Sequence, residues 1–297
     1  MTEPAARWLA RVPPDRPVLI AGPTASGKSA LALALAVMQG RAVVNADALQ
    51  VYGCWRILTA RPTARDEAAA AHLLYGHLPF DADWSVGHWL RAVAAILDRD
   101  PRPVIVGGTG LYFTALTGGL ARIPPIPPEI RAEAEAFSGA DGVAAMIAAL
   151  DAGTRARIDT ANPARIRRAW EVLRATGRGL ADWQADTGPP LLPLERAHPV
   201  VLRADPASLG ARIERRFDAM LAAGALDEVA ALRPVWNPAL PAARAIGAAE
   251  LMAHLEGRMS LADAATAAVV ASRQYAKRQR TWLRNRLGHW PVLDLPG

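Results

Sequence analysis

The chain has 297 residues, 52% hydrophobic and 21% charged, a composition that excludes a wholly disordered chain and allows one large α/β domain or two small ones. No apolar run reaches the ~18 residues of a membrane helix, residues 1–16 lack the apolar stretch of a secretory signal, and a single cysteine, Cys54, excludes an intrachain disulfide or a multi-cysteine zinc site. Net charge is +6; residues 1–150 balance at 13 basic and 13 acidic, while residues 151–297 hold 21 basic and 15 acidic, which points to an anionic partner, nucleic acid first, unless arginine is simply favoured throughout.

Taken in chain order, Val18–Gly22 is a short apolar run ending in glycine, the pattern of a buried parallel strand. Ser29–Met38 is rich in Ala and Leu and predicts a helix. Ala42–Asp47 predicts a second strand and His72–Leu78 a third. Ser85–Asp98 has helical spacing through Val86, Trp89, Leu90, Val93, Ile96 and Leu97. Pro103–Gly108 predicts another strand that runs into glycines. Such alternation argues a parallel sheet covered on both faces, with ligands at the C-terminal strand ends. Those ends carry Gly22, Asp47 and Gly107-Gly108-Thr109. The Ile-Pro-Pro repeat at 123–128 breaks regular structure; residues 129–184 then look mostly helical, a second Gly/Pro break falls at 187–193, and a strand resumes at His198–Arg203. The expected organisation is a core of residues 17–123 and 197–290, with 124–196 as a helical insertion.

Gly22-Pro23-Thr24-Ala25-Ser26-Gly27-Lys28-Ser29 matches the phosphate-binding pattern Gly-x4-Gly-Lys-Ser/Thr, and it sits between a strand and a helix as that motif requires. Glycines let backbone N–H groups turn inward around phosphate oxygens, and the helix N-terminus adds its dipole. Lys28 is expected on the bridging and terminal phosphates, with the Ser29 hydroxyl on Mg²⁺. Lysine occurs only at 28 and 277, so both are candidates for a place that needs a compact point charge. A nucleotide-splitting enzyme also wants a carboxylate at a strand end, but Val104-Ile105-Val106 leads into Gly107-Gly108-Thr109. The acid nearby is Asp47, beside Gln50, an amide able to read a base edge. From the residues alone, Asp47 is a proton-abstracting base, a helix N-cap or a metal-holding acid.

Three segments together, Gly22–Ser29, Asn45–Tyr52 and Val106–Tyr112, resemble the tRNA dimethylallyltransferase family. Later stretches extend the resemblance to about residues 17–290. Ala161–Val172 is similar to the family's Asn-Asp-Pro-x-Arg-x-x-Arg-Ala-x-Glu-Val, Arg244–Gly247 to its Arg-x-x-Gly, and Ser272–Arg284 to its Thr-Arg-Gln-x-Ala-Lys-Arg-Gln-x-Thr-Trp-x-Arg. The resemblance implies a P-loop NTPase-like sheet with an inserted helical domain that clasps the anticodon stem-loop. It implies transfer of a dimethylallyl group from dimethylallyl diphosphate to the exocyclic N6 amine of the adenosine 3′ of the anticodon, in tRNAs reading codons that begin with U. It also implies Mg²⁺ and a cytoplasmic location. Asp47 then corresponds to the base, Thr109 to a residue holding the reacting groups, Lys28 to the diphosphate's cation and Arg244 to an arginine supporting diphosphate or tRNA. Diphosphate falls to Gly22, Pro23, Thr24, Ala25, Ser26, Gly27, Lys28 and Ser29. tRNA falls to Asp47, Ala48, Leu49, Gln50, Thr109, Arg131, Ala164, Arg165, Arg168, Arg244, Gly247, Lys277 and Arg284. Arg273, Lys277, Arg280 and Arg284 have helical spacing, a basic stripe suited to phosphates or a merely solvated face. No heptad seam is present, so a monomer is expected.

The chain departs from the family pattern in places. Gly247-Ala248-Ala249 stands where the family has Gly-Tyr-Arg/Lys, Ala161 where it has Asn before an acid, and Tyr75 where it has a strand-end Asp. Two other classes stay open at this stage. A small-molecule or nucleoside kinase shares the cradle, and Arg212, Arg215 and Arg216 could act as its lid. A non-catalytic RNA-binding module would need no intact Lys28, Ser29 and Asp47. The histidines are too scattered for a metal site.

Overall fold

The computed structural model describes residues 2–137 and 139–295. In chain order it contains α1 (Glu3–Leu9), β1 (Val18–Ala21), α2 (Lys28–Gln39), β2 (Val43–Asn45), α3 (Ala64–Ala69), β3 (His72–Leu73), α4 (Val86–Leu97), β4 (Val104–Gly107) and α5 (Gly110–Gly118). Five helices follow: α6 (Pro128–Ala136), α7 (Gly139–Ala149), α8 (Ala152–Arg157), α9 (Pro163–Thr176) and α10 (Leu180–Ala185). The chain then returns through β5 (His198–Arg203), α11 (Pro206–Ala222), α12 (Ala225–Ala230), α13 (Ala248–Leu255), α14 (Leu261–Arg286) and β6 (Val292–Asp294).

The six strands form one all-parallel sheet in the order β3-β2-β4-β1-β5-β6. Strand alternation divides its side chains cleanly. Val18, Ile20, Val43, Val104 and Val106 face α1 and α2 with Leu9, Leu31 and Leu35. Leu19, Ala21, Val44 and Ile105 face Trp89, Val93, Phe113 and Leu283 from α4, α5 and α14. Burial on both sides explains why these strands read as unbroken apolar runs. A third core gathers residues 51–58 with α11, α12, α13 and α14 around Trp55, Ile213, Phe217 and Leu251.

The third strand is shorter than expected. It stops at Leu73 because Leu74 and Gly76 take left-handed φ values of 64° and 54°, which turn the chain out of the sheet. The sheet also runs past the expected end of the core, through β6, and α1 buries Ala5 and Leu9 against it.

The chain divides into two compact units, Met1–Thr117 with Leu191–Gly297, and Gly118–Pro190. The second unit is all helical apart from one bridge, Ala121 to Thr187, and has its own core of Ala134, Met146, Leu150, Ile166, Ala169 and Trp170. Its limits fall earlier at both ends than the proline breaks indicate. Leu192 belongs with the sheet, since its N–H donates to the Leu116 carbonyl at 3.0 Å and its side chain packs with Leu19 and Phe113.

Arg41 is 2% exposed and serves the backbone alone. Its guanidinium donates to the carbonyls of Pro13 at 2.6 Å, Arg16 at 2.8 Å and Arg102 at 3.1 Å. Arg41→Met keeps the stem and leaves those carbonyls short of partners. The expected loss is about 3 kcal/mol in denaturant unfolding, with activity of the folded fraction unchanged.

Candidate active site

The P-loop begins where β1 ends. Gly22 is packed so that a Cβ would lie 2.8 Å from Ser26 Oγ, and Gly27, at φ 89°, starts α2 in the left-handed region. Ala25 accepts φ 60° in the middle of the loop. Lys28 folds back over the loop and donates to the Pro23 carbonyl at 3.3 Å, and Ser29 lies exposed in the first turn of α2. Burial pushes the Lys28 ammonium down to about 8; the Asp47 carboxylate opposes that shift and the Arg216 guanidinium adds to it.

The loop is stitched to the neighbouring strand by Gln279, which is 6% exposed. Its Oε1 accepts from the Thr24 N–H at 2.8 Å, and its Nε2 donates to the Gly108 carbonyl at 3.0 Å. The glycines after β4 make room for this. A Cβ at Gly107 would strike the Ala46 backbone, one at Gly108 the Gln279 amide and one at Gly110 the Trp282 ring. The sequence places Gln279 in a recognisable block but does not say that it braces the cradle. Gln279→Ala is expected to weaken inorganic pyrophosphate binding about tenfold by calorimetry, since it leaves the Thr24 N–H and the Gly108 carbonyl unpaired.

Asp47 is held by a tight network at the end of β2. Its N–H donates to Asn45 Oδ1 at 2.8 Å, and the Asn45 amide donates to the Asp47 carbonyl at 2.9 Å and the Leu74 carbonyl at 3.0 Å. One carboxylate oxygen, Oδ1, accepts from the Leu49 N–H at 2.9 Å. No helix follows Asp47, which removes the N-cap alternative. Thr109 ties this loop to the end of β4: its Oγ1 accepts from the Ala48 N–H at 3.0 Å and its N–H donates to the Ala46 carbonyl at 3.1 Å. The charge of Asp47 is felt by Lys28, Arg216, Tyr75, Tyr112 and Tyr275, which places the carboxylate at the centre of the site. Burial, reinforced by Asp47, raises the three phenols above their ordinary range and keeps them neutral.

Asp47 and Thr24 open on one cavity, lined also by Leu49, Leu58, Thr59, Ile213, Arg216, Phe217, Met220, Ile246, Ser272 and Tyr275. Arg216 reaches the cradle, donating to Thr24 Oγ1 at 2.6 Å. Burial lowers its pKa, and Asp47 partly restores it. Arg244, in contrast, is exposed at the end of a short 3-10 turn, Pro241–Arg244, outside this lining. Two arginines of α11 therefore reach the cradle: Arg216 at Thr24, and Arg212, whose Nη1 donates to the Ala25 carbonyl at 3.5 Å. Leu209, Ile213, Phe217 and Met220 form the buried face of α11, and Arg216 stands on the edge of that face.

Gln50 spends its amide nitrogen on the Thr59 and Ala60 carbonyls at 2.8 and 3.0 Å, so only its oxygen remains to face a ligand. The same loop is pinned by Glu228, which accepts from the N–H groups of Arg56, Ile57 and Leu58 at 2.5, 2.9 and 2.8 Å. Gly247 begins α13 at φ 95°, packed against Leu58 and Phe217. On α14, Ser272, Ala276, Gln279 and Leu283 face inward, whereas Lys277 and Arg284 are exposed; Arg273, in the same basic stripe, pairs with Glu214 at 2.6 Å.

In the helical unit, Arg131, Ala164, Arg165 and Arg168 are exposed. Arg165 lies 3.8 Å from Asp159 and Arg168 4.0 Å from Glu171, distances at which surface pairs contribute little. With 46% of its side chain exposed, Arg168 is partly desolvated, which lowers its pKa; Glu171 opposes that and Arg131 adds to it, so Arg131 and Arg168 present like charges close together.

Tyr75 occupies the strand-end position where the family pattern has an acid, so Asp47 has no second carboxylate there. Among the described residues no group of three or more His, Cys, Asp or Glu could hold a metal ion, and no helix is long and apolar enough to cross a membrane.

The family described as IPP transferase matches residues 50–286, and that described as isopentenyl transferase matches residues 16–71. The tRNA dimethylallyltransferase of Cereibacter sphaeroides is 65% identical over 97% of this chain and 92% of its own length. The solved tRNA isopentenylpyrophosphate transferase of Bacillus halodurans is 30% identical, covers 95% of this chain and 90% of its own, and has a TM-score of 0.67. A eukaryotic dimethylallyltransferase acting on tRNA shares the fold, with a TM-score of 0.80 over 94% of this chain and 74% of its own, at 22% identity. With a family match across most of its length and a relative this close, the chain belongs to the tRNA dimethylallyltransferase family.

Proposed function

We propose that the chain transfers a dimethylallyl group from dimethylallyl diphosphate to the N6 amine of the adenosine 3′ of the anticodon, in tRNAs that read codons beginning with U, and releases diphosphate. The observation that carries this reading is that Thr24 of the P-loop and Asp47 open on the same cavity, with Arg216 bonded to Thr24 and within reach of the Asp47 charge. The C1–O bond of the donor breaks and its electron pair stays on the diphosphate. The N6 lone pair forms the new bond to C1, and the N6 proton passes to Asp47. Charge grows on the leaving diphosphate, and Lys28, Arg216 and the P-loop N–H groups oppose it most strongly in the transition state. The exocyclic amine is a poor nucleophile, so orientation and a base must supply what basicity does not. Thr109 holds the Asp47 loop in place through Ala48. The target base has to leave its stack to reach a strand-end cavity.

Mg²⁺ fits this site as a partner of the diphosphate rather than as an ion caged by protein. Ser29 is exposed in the first turn of α2 and offers one hydroxyl, and a single carboxylate, Asp47, is nearby, a sparse set that suits an ion keeping waters and phosphate oxygens. Bound there, it would offset the charge of the departing diphosphate. Arg131, Ala164, Arg165 and Arg168 on the helical unit, with Gly247, Lys277, Arg284 and Arg244 on the other, are the proposed tRNA contacts, acting mainly on phosphates. A cytoplasmic monomer is the working reading, because the tRNA substrate is found there and no self-association pattern is present in the sequence.

The kinase alternative loses ground on the structure as well as on kinship: β4 ends in Gly107-Gly108-Thr109, packed on Gln279, with no carboxylate for a nucleotide's metal. The decisive test supplies radiolabelled dimethylallyl diphosphate, Mg²⁺ and unmodified tRNA, then separates the nucleosides. Label on the adenosine next to the anticodon is the expected result. ATP turnover on a small acceptor with no label in tRNA would establish a kinase instead.

A further inference from the structure

Two walls of the cavity differ in chemistry. Thr24, Asp47 and Arg216 are its polar lining at the cradle, while Leu58, Ile213, Phe217 and Met220 pack together as one apolar cluster that also lines it. On α11, Arg216, which grips the cradle, is followed directly by Phe217 of the apolar cluster, and both line the cavity. Phe217 is 3% exposed and Leu58 6%, and both are pressed against the backbone of Gly247. A Cβ at Gly247 would lie 2.9 Å from Leu58 Cδ1 and 2.9 Å from the Phe217 ring. The ring therefore has no space to withdraw on that side.

We infer that Phe217, backed by Gly247, is the stop that limits the prenyl donor to one five-carbon unit. This rests on the reading of the cavity as a prenyl diphosphate site. With the diphosphate fixed on the P-loop and Arg216, the tail runs towards Leu58 and Phe217. A ten-carbon tail needs room that the Phe217 ring fills, and a packed wall yields only by strain. Fitted apolar pockets discriminate about 10–200-fold per methylene, and a whole further isoprene unit is a larger misfit. Gly247 then matters for the shape of the donor pocket, apart from any contact with tRNA.

The test compares dimethylallyl and geranyl diphosphates on unmodified tRNA. The wild type is assayed first; if it transfers neither group, the functional reading has failed before the gate is addressed. Phe217→Ala is expected to raise the geranyl-to-dimethylallyl ratio of kcat/KM at least tenfold, with KM for tRNA within threefold of wild type. Phe217→Leu, which keeps much of the packing, is expected to fall between the two. An unchanged ratio in a folded Phe217→Ala or Phe217→Leu protein would overturn the inference.

Discussion

Asp47→Asn is expected to lower kcat for prenyl transfer by about 10³-fold or more while leaving tRNA affinity within threefold of wild type. The substitution is nearly isosteric, and an amide oxygen can still accept the Leu49 N–H that holds Oδ1 at 2.9 Å. What disappears is the group that takes the N6 proton, and general-base catalysis alone contributes about 10²–10⁴-fold. A second effect adds to it. Asp47 is the countercharge that both Lys28 and Arg216 feel, so its loss leaves two buried cations facing each other. Single-turnover kinetics with prebound tRNA separates the chemical step from binding. A variant that keeps more than a tenth of the wild-type single-turnover rate would show that Asp47 is not the base.

The sheet was legible because its strands are buried on both faces, which writes them as runs such as Val18-Leu19-Ile20-Ala21 flanked by glycine. The cradle was legible because Gly27 needs φ 89° and the loop needs Lys28 in one place, constraints that few sequences meet by accident. What the sequence hid is long-range. Gln279 reaches Thr24 across 255 residues of chain, and nothing in local periodicity announces that contact. Arg216 was hidden differently: it sat among three arginines of α11, and only the fold shows that it and Arg212 turn to the cradle. The resemblance gave Arg244 to diphosphate or tRNA without choosing between them, and the fold leaves it exposed on a short turn. The proline-rich breaks mark loops near the unit boundaries, but the boundary follows packing, as Leu192 against Leu19 and Phe113 makes plain.

Lys28→Ala is expected to cut kcat/KM for dimethylallyl diphosphate by about 10²–10³-fold, the scale of losing one charge-stabilising donor in a closed site. The intact lysine should also leave a signature in pH. Its ammonium titrates at about 8 in the free protein because burial disfavours the charge, Asp47 only partly compensating and Arg216 adding repulsion. The donor's own last ionisation, near pH 6, is complete well below that. Above pH 8 the free enzyme loses the cation that binds diphosphate, so kcat/KM for the donor should fall towards a tenfold loss per pH unit. Lys28→Arg, whose guanidinium stays charged, should abolish that limb even though its bulk lowers the plateau. Folding responds to the same group in the opposite sense. The folded pKa lies below the unfolded value of 10.5, so between about 8 and 10.5 the unfolded chain holds the extra proton and this group's contribution to stability rises with pH. Donor affinity that falls while the Lys28 contribution to stability rises, both lost in Lys28→Ala, would trace both trends to one buried ammonium. A kcat/KM profile flat through pH 9 would mean that Lys28 does not lose its charge there.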